Sequence, residues 1–175
     1  MATAVFKCQR PLKRDPPVRE PPPGALHVNH MPARDGQKRL RMISYHAALI
    51  YTMVLVSAAD RNMTDAELRM MGDLIGALPV FHDYNRELLP STAASCAELL
   101  DSHDGLEQVL RLIKASLPEH LRETAYALAC DIAAADGRVL PEEARMLEMI
   151  RYELGLDRLL SAAIERGARA RFAKP

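Results

Sequence analysis

From Ile43 to Ala59 the chain reads ISYHAALIYTMVLVSAA, seventeen residues with no formal charge and apolar nearly all round. A membrane span needs about 20 apolar residues. This run is shorter, carries His46 and ends directly in Asp60, so the pattern predicts a helix buried in a protein core. Thr64-Asp65-Ala66-Glu67 then has the form of a capping box, with Thr64 at the N-cap and Glu67 three residues on. It opens a predicted helix whose Leu68, Met71, Leu74, Ile75 and Leu78 form one apolar stripe until Pro79 stops it. The following FHDYNRELLP reads as a connector with one turn of helix. Ser91 or Thr92 can cap a helix through Leu100, and Asp104 another that carries Leu106, Val109, Leu110 and Ile113.

Pro118 suits the first position of a helix from about Glu119 to Ala135, with Leu121, Tyr126, Ala129, Cys130 and Ala133 on its apolar face. Gly137 breaks that helix and Pro141 opens the next, lined by Ala144, Leu147, Ile150 and Leu154, with Gly155 placed to end it in the left-handed conformation. The last helix, about Asp157 to Arg171, is expected to turn Leu159, Leu160, Ala163 and Ile164 inward. Its basic end (Arg166, Arg169, Arg171) suits a helix C-terminus. The sum is an all-α fold of about seven helices in a single bundle.

Composition supports this class: of 175 residues 49% are hydrophobic, aromatics are 5% and Trp is absent, a balance that favours helices over a β-sandwich. The zero net charge hides an asymmetry. Residues 1–41 hold nine Lys/Arg against three Asp/Glu, and residues 42–175 hold fourteen against twenty. Seven of the twelve prolines also fall between Pro11 and Pro32, so residues 1–41 are expected to form a disordered basic tail before a helical domain over 42–175. The tail is a weak tether to an acidic surface, an SH3-type ligand, or inert. An acidic body argues against nucleic acid as a partner. Cys8, Cys96 and Cys130 lack CxxC spacing and suggest neither disulfides nor zinc, which fits a reducing cytoplasm. The first residues lack an apolar signal core, and at most peripheral membrane association is expected.

Placing Asp60 on Asp136 superposes VSAADRNMTDAELRMMGDLI on IAAADGRVLPEEARMLEMI; Glu67/Glu143, Arg69/Arg145, Met71/Leu147 and Leu74/Ile150 then coincide. Two related helix-turn-helix units explain this match. In one reading of their acids, Asp65, Glu67, Glu142 and Glu143 favour helix N-termini and the two terminal Asp residues hydrogen-bond the turns. In the other, Asp136 and Glu143 meet across a tight turn, Asp131 contributes from the same helix, and hard oxygen ligands select Ca²⁺, Mg²⁺ or Mn²⁺. The loop is not an EF-hand, because Gly137, Arg138 and Val139 follow Asp136.

The segments HAALIYTMVLVSAADRNMTDAEL, ALACDIAAADGRVLPEEARMLEMI and LGLDRLLSAAIERGARAR resemble the bacterial TerB family, a tellurite-resistance-associated helical domain related to the N-terminal region of the DjlA co-chaperone. The resemblance spans roughly residues 43–170, and A-A-D-G-x-x-x-x-E-E is its most specific part. It implies a seven-helix fold, a cytoplasmic setting, a link to tellurite or other chemical stress, and divalent-cation binding at the acidic turns. By position, the implied metal ligands are Asp60 and Glu67 in the first turn and Asp131, Asp136 and Glu143 in the second. Arg61 replaces the Gly expected after Asp60, a departure at the first half-site. No His-Pro-Asp occurs, so the J domain's hallmark is missing.

No G-x-S-x-G, P-loop, G-x-G-x-x-G or H-E-x-x-H is present, so neither enzyme activity nor an organic cofactor is expected. His46 reads as a satisfied core histidine, Cys130 as a small buried hydrophobe, and His82, His103 and His120 are scattered. A protein partner is expected. The alternative to the cation-binding module is a metal-free adaptor using Met63, Met70 and Met146 as an adaptable contact face.

Overall fold

The computed structural model describes residues 42–60, 65–135 and 137–174, with the backbone alone at Asp60 and Ala66. The basic tail, Arg61, Met63, the Thr64 cap and Asp136 lie outside the described residues. Among the described residues seven α-helices follow in order: α1 (Tyr45–Ser57), α2 (Asp65–Ala77), α3 (Leu89–Leu100), α4 (Gly105–Ser116), α5 (Arg122–Ala134), α6 (Pro141–Leu154) and α7 (Arg158–Arg171). Among the described residues there is no strand, and no helix is long and apolar enough to cross a membrane.

Ser44 starts α1, its Oγ accepting the Ala47 N–H at 3.1 Å, as an N-cap hydroxyl should. The uncharged run then does what its pattern predicts. Leu49, Ile50, Met53, Val54 and Leu55 are fully buried, and α1 packs against α3, α4, α5 and α6. Each such side chain contributes roughly 1.5–3 kcal/mol by leaving water. Of the three buried polar residues inside α1, Thr52 and His46 are satisfied, while the Ser57 Oγ has no hydrogen-bond partner among the described residues. Thr52 donates to the Ala48 carbonyl at 2.8 Å, and the His46 Nε2 lies 3.1 Å from both the Val80 carbonyl oxygen and the Asp83 carboxylate. His46 also stacks among Tyr45, Phe81 and Tyr84, which makes it a core histidine.

The two repeated units are α1–α2 and α5–α6. The buried helices α1 and α5 pack against each other, and the second helix of each unit also touches the buried helix of the other. On α5, Ala125, Ala129 and Ala133 are buried, so small side chains bring its neighbours close. Gly155 ends α6 at φ 69°, in the left-handed conformation.

Several expectations need correction. Helix α3 begins at Leu89, not at a Ser91 or Thr92 cap; Asn85 caps a 3-10 turn at Arg86–Leu88 that leads into it, and the Ser91 Oγ donates to the Leu88 carbonyl at 2.9 Å. Asp104 occupies the N-cap position of α4 without a side-chain capping bond. A 3-10 turn at Glu119–Leu121 stands between Pro118 and α5. The face of α7 is rotated: Leu159 is 81% exposed and Ala163 is exposed, while Ser161 and Ala168 are buried. Close packing on α5 explains the rotation, since small residues at 161 and 168 let the helices approach where leucines would hold them apart. Met70 and Met146 are partly buried against the core and do not form an exposed methionine face, and Ala144 is exposed.

Leu147 is 6% exposed within this core, and Leu147→Ala is expected to cost about 2–5 kcal/mol in urea unfolding. Burial pushes the thiols of Cys96 and Cys130 from the ordinary value of 9.0 up to about 12. Their neutral form favours the folded state, so that contribution is complete below about pH 9 and is lost as pH rises towards 12. Urea midpoints measured across this range should fall, and fall less in a Cys96→Ala, Cys130→Ala variant.

Candidate functional site

The second acidic turn is the better described of the two. Helix α5 ends at Ala134, the Gly137 N–H returns to the Ala134 carbonyl at 2.9 Å, and Gly137 takes φ 80°, a conformation that a side chain rarely tolerates. This accounts for the Gly after Asp136. Val139 and Leu140 then run exposed into Pro141, whose fixed φ and missing N–H suit the first position of α6. Glu143, half-buried at N3, accepts the Leu140 N–H on its Oε2 at 2.8 Å. That bond is the local capping role anticipated for this acid.

Asp131 lies one turn back on α5 with its side chain 13% exposed, and it forms an ion pair with Arg171 from the last turn of α7. The Lys174 side chain lies beside Gly137, close enough that an added Cβ would stand 3.7 Å from its Nζ. Two cationic side chains, Arg171 and Lys174, thus lie at this acidic turn. A buried carboxylate is costly unless a cation or several hydrogen bonds compensate it. Here the chain supplies the cation.

The first turn is built differently. Its 3-10 turn, Ala58–Asp60, packs against α6, and Glu67 stands half-buried in the first turn of α2. In the repeat, the position matching Asp131 is Leu55, which is fully buried, so the first unit has no counterpart to that acid. The donors of the second turn are of the hard oxygen kind that Ca²⁺, Mg²⁺ or Mn²⁺ takes. Among the described residues no three His, Cys, Asp or Glu side chains converge as a metal-binding group. The structure therefore brings Asp131 and Glu143 to the two sides of one turn, places Glu67 in the other unit, and leaves the side chains of Asp60 and Asp136 outside the described residues.

Sequence reasoning missed the Arg171 partner of Asp131, which had been assigned to the helix dipole. It also missed a polar pair across α5 and α7: the Tyr126 hydroxyl, on a side chain 1% exposed overall, donates to the Glu165 Oε1 at 2.7 Å. Burial, and then this hydrogen bond to a carboxylate, raise the Tyr126 pKa well above the ordinary phenol value. The available signal was the small-residue spacing of Ser161 and Ala168, which puts Glu165 on the inward face of α7.

The geometry agrees with a comparison to known proteins. A family model described as tellurite resistance protein TerB matches residues 46–166, from the first turn of α1 into α7 and across both acidic turns. No curated protein and no solved structure matches the chain. The family match covers well over half of the sequence, and the chain belongs to the TerB family.

Proposed function

We propose that this TerB-family chain is a non-enzymatic module of tellurite resistance and related chemical stress in the bacterial cytoplasm, and that it binds a divalent cation at its second acidic turn. The observation that supports this reading most is the placing of two oxygen donors at one turn, Asp131 with its side chain 13% exposed at the end of α5 and Glu143 at the start of α6; the positive charge that Arg171 now supplies to Asp131 is the one a metal would replace. Asp136 and Glu143 would complete an oxygen-donor set with Asp131, and Asp60 with Glu67 would form a weaker first half-site. A bound Ca²⁺, Mg²⁺ or Mn²⁺ supplies charge to hold the turn and present it to a protein partner. Arg171 and Lys174 lie beyond the residues matched by the family model, so this counter-charge belongs to the part of the chain outside that match. Burial keeps the Cys96 and Cys130 thiols protonated, with pKa values pushed up to about 12, so neither of these two cysteines serves as a thiolate nucleophile, which fits the non-enzymatic reading.

A metal-free adaptor remains the alternative, and one observation favours it. In a surface groove of about 680 Å³ between α4 and α6, Leu106, Leu110, Met149 and Tyr152 stand among charged side chains that include Glu107, Arg145 and Glu153, and Tyr152 is 81% exposed. Large exposed aromatics with apolar neighbours inside a polar rim are typical anchors of protein contacts.

Thermal unfolding with and without metal separates the readings. A ligand that binds only the folded state adds about 2.7 kcal/mol at a hundred times its dissociation constant. The wild-type chain is expected to gain stability with millimolar Ca²⁺, Mg²⁺ or Mn²⁺, and an Asp136→Asn, Glu143→Gln variant to lose that gain while keeping its helical circular dichroism. Arg171→Gln is expected to bind the cation several-fold more tightly, because the metal no longer displaces a guanidinium. A wild-type chain indifferent to all three cations overturns the cation reading; a double variant that unfolds assigns the acids to capping.

A further inference from the structure

Helices α6 and α7 both rest on α5, and between them lies a cavity of about 170 Å³ beside the second turn, open to solvent past the exposed Val139, Ala144, Glu148 and Arg169. Protein interiors leave few voids larger than a water molecule. A cavity of about 150 Å³ is large enough to hold benzene. Its lining differs with depth: Ala133, Ala134, Leu147 and Ala168 are buried and apolar, while Arg151 is half-buried and Glu148 and Arg169 are exposed, and Tyr126 and Glu165 add a polar pair.

Most of those polar groups are committed to each other. Glu165 takes the Tyr126 hydroxyl at 2.7 Å and faces the Arg169 Nη2 at 3.6 Å. Glu148 takes the Arg145 Nη1 at 2.7 Å. Arg151, half-buried on α6, makes no direct ion pair among the described residues, and its charge acts on Asp157 at the start of α7 and on the Tyr126 hydroxyl. A guanidinium offers a planar fork of N–H donors that matches a carboxylate at two points. It stands here beside a space whose buried lining is hydrocarbon, Leu147 one turn back on the same helix with Ala133, Ala134 and Ala168 from α5 and α7.

We propose that this cavity binds a small monocarboxylic acid with a compact apolar body of about six to eight non-hydrogen atoms, its carboxylate on Arg151 and its hydrocarbon against Ala133, Ala134, Leu147 and Ala168. An inorganic anion would engage the arginine but leave the apolar wall unused. A neutral molecule of the same shape would leave the arginine unpaired. The site is independent of the cation reading, since neither Asp131 nor Glu143 lines it.

The test is an amide NMR titration of the full chain with benzoate, butyrate, benzyl alcohol and inorganic phosphate as probes. Benzoate or butyrate is expected to give saturable shifts at residues 133–134, 147–151 and 165–169. Benzyl alcohol and phosphate should bind at least about tenfold more weakly, and Arg151→Gln should weaken benzoate by at least about tenfold with its helical signal unchanged. Ala144→Leu, at an exposed position on the cavity lining, should block binding without burying new volume in the core. No cavity shifts at millimolar carboxylate, equal binding by Arg151→Gln, or phosphate binding as tightly as benzoate each overturns the proposal.

Discussion

The packing of α1 against α5 is the contact on which the rest of the molecule depends. A helix that is apolar all round has no face to give to water, so α1 must be surrounded, and α3, α4, α5 and α6 surround it. The alanines of α5 let that helix sit close on one side to α1 and on the other to α7. Because both buried helices end in an acidic turn, burying them also fixes where the two turns emerge.

That arrangement gives the two turns different chemistry from related sequences. In the second unit α5 carries Asp131 where α1 carries Leu55, and the added carboxylate faces Arg171 from α7. In the first unit the equivalent position is hydrocarbon packed in the core. The same α5–α7 approach that brings Arg171 to Asp131 brings Glu165 to Tyr126 and leaves the cavity between α7 and α6. One face of α5 thus serves a charged pair, a buried polar pair and an open volume within a few turns.

The number of helices and the burial of α1 and α5 were legible because they depend on local periodicity and on strong stop signals at Pro79, Gly137, Pro141 and Gly155. The register of α7 was not. Its leucines suggested the inward face, yet Ser161 and Ala168 are buried and Leu159 is exposed, because helix–helix distance rather than side-chain hydrophobicity decided the packing. The acids of the second turn were legible as a group, and the capping bond of Glu143 follows from its spacing alone. The pairing of Asp131 with Arg171 spans forty residues, and no local pattern encodes a contact of that range.

The most direct measurement is an amide NMR titration of the full chain with Ca²⁺, Mg²⁺ and Mn²⁺, following every backbone signal as metal is added. Cation binding at the acidic turns predicts saturable changes confined to residues 60–67 and 131–143, together with Arg171 as its guanidinium leaves Asp131. No response to any of the three cations at millimolar concentration, or changes spread evenly over the acidic surface, would contradict it.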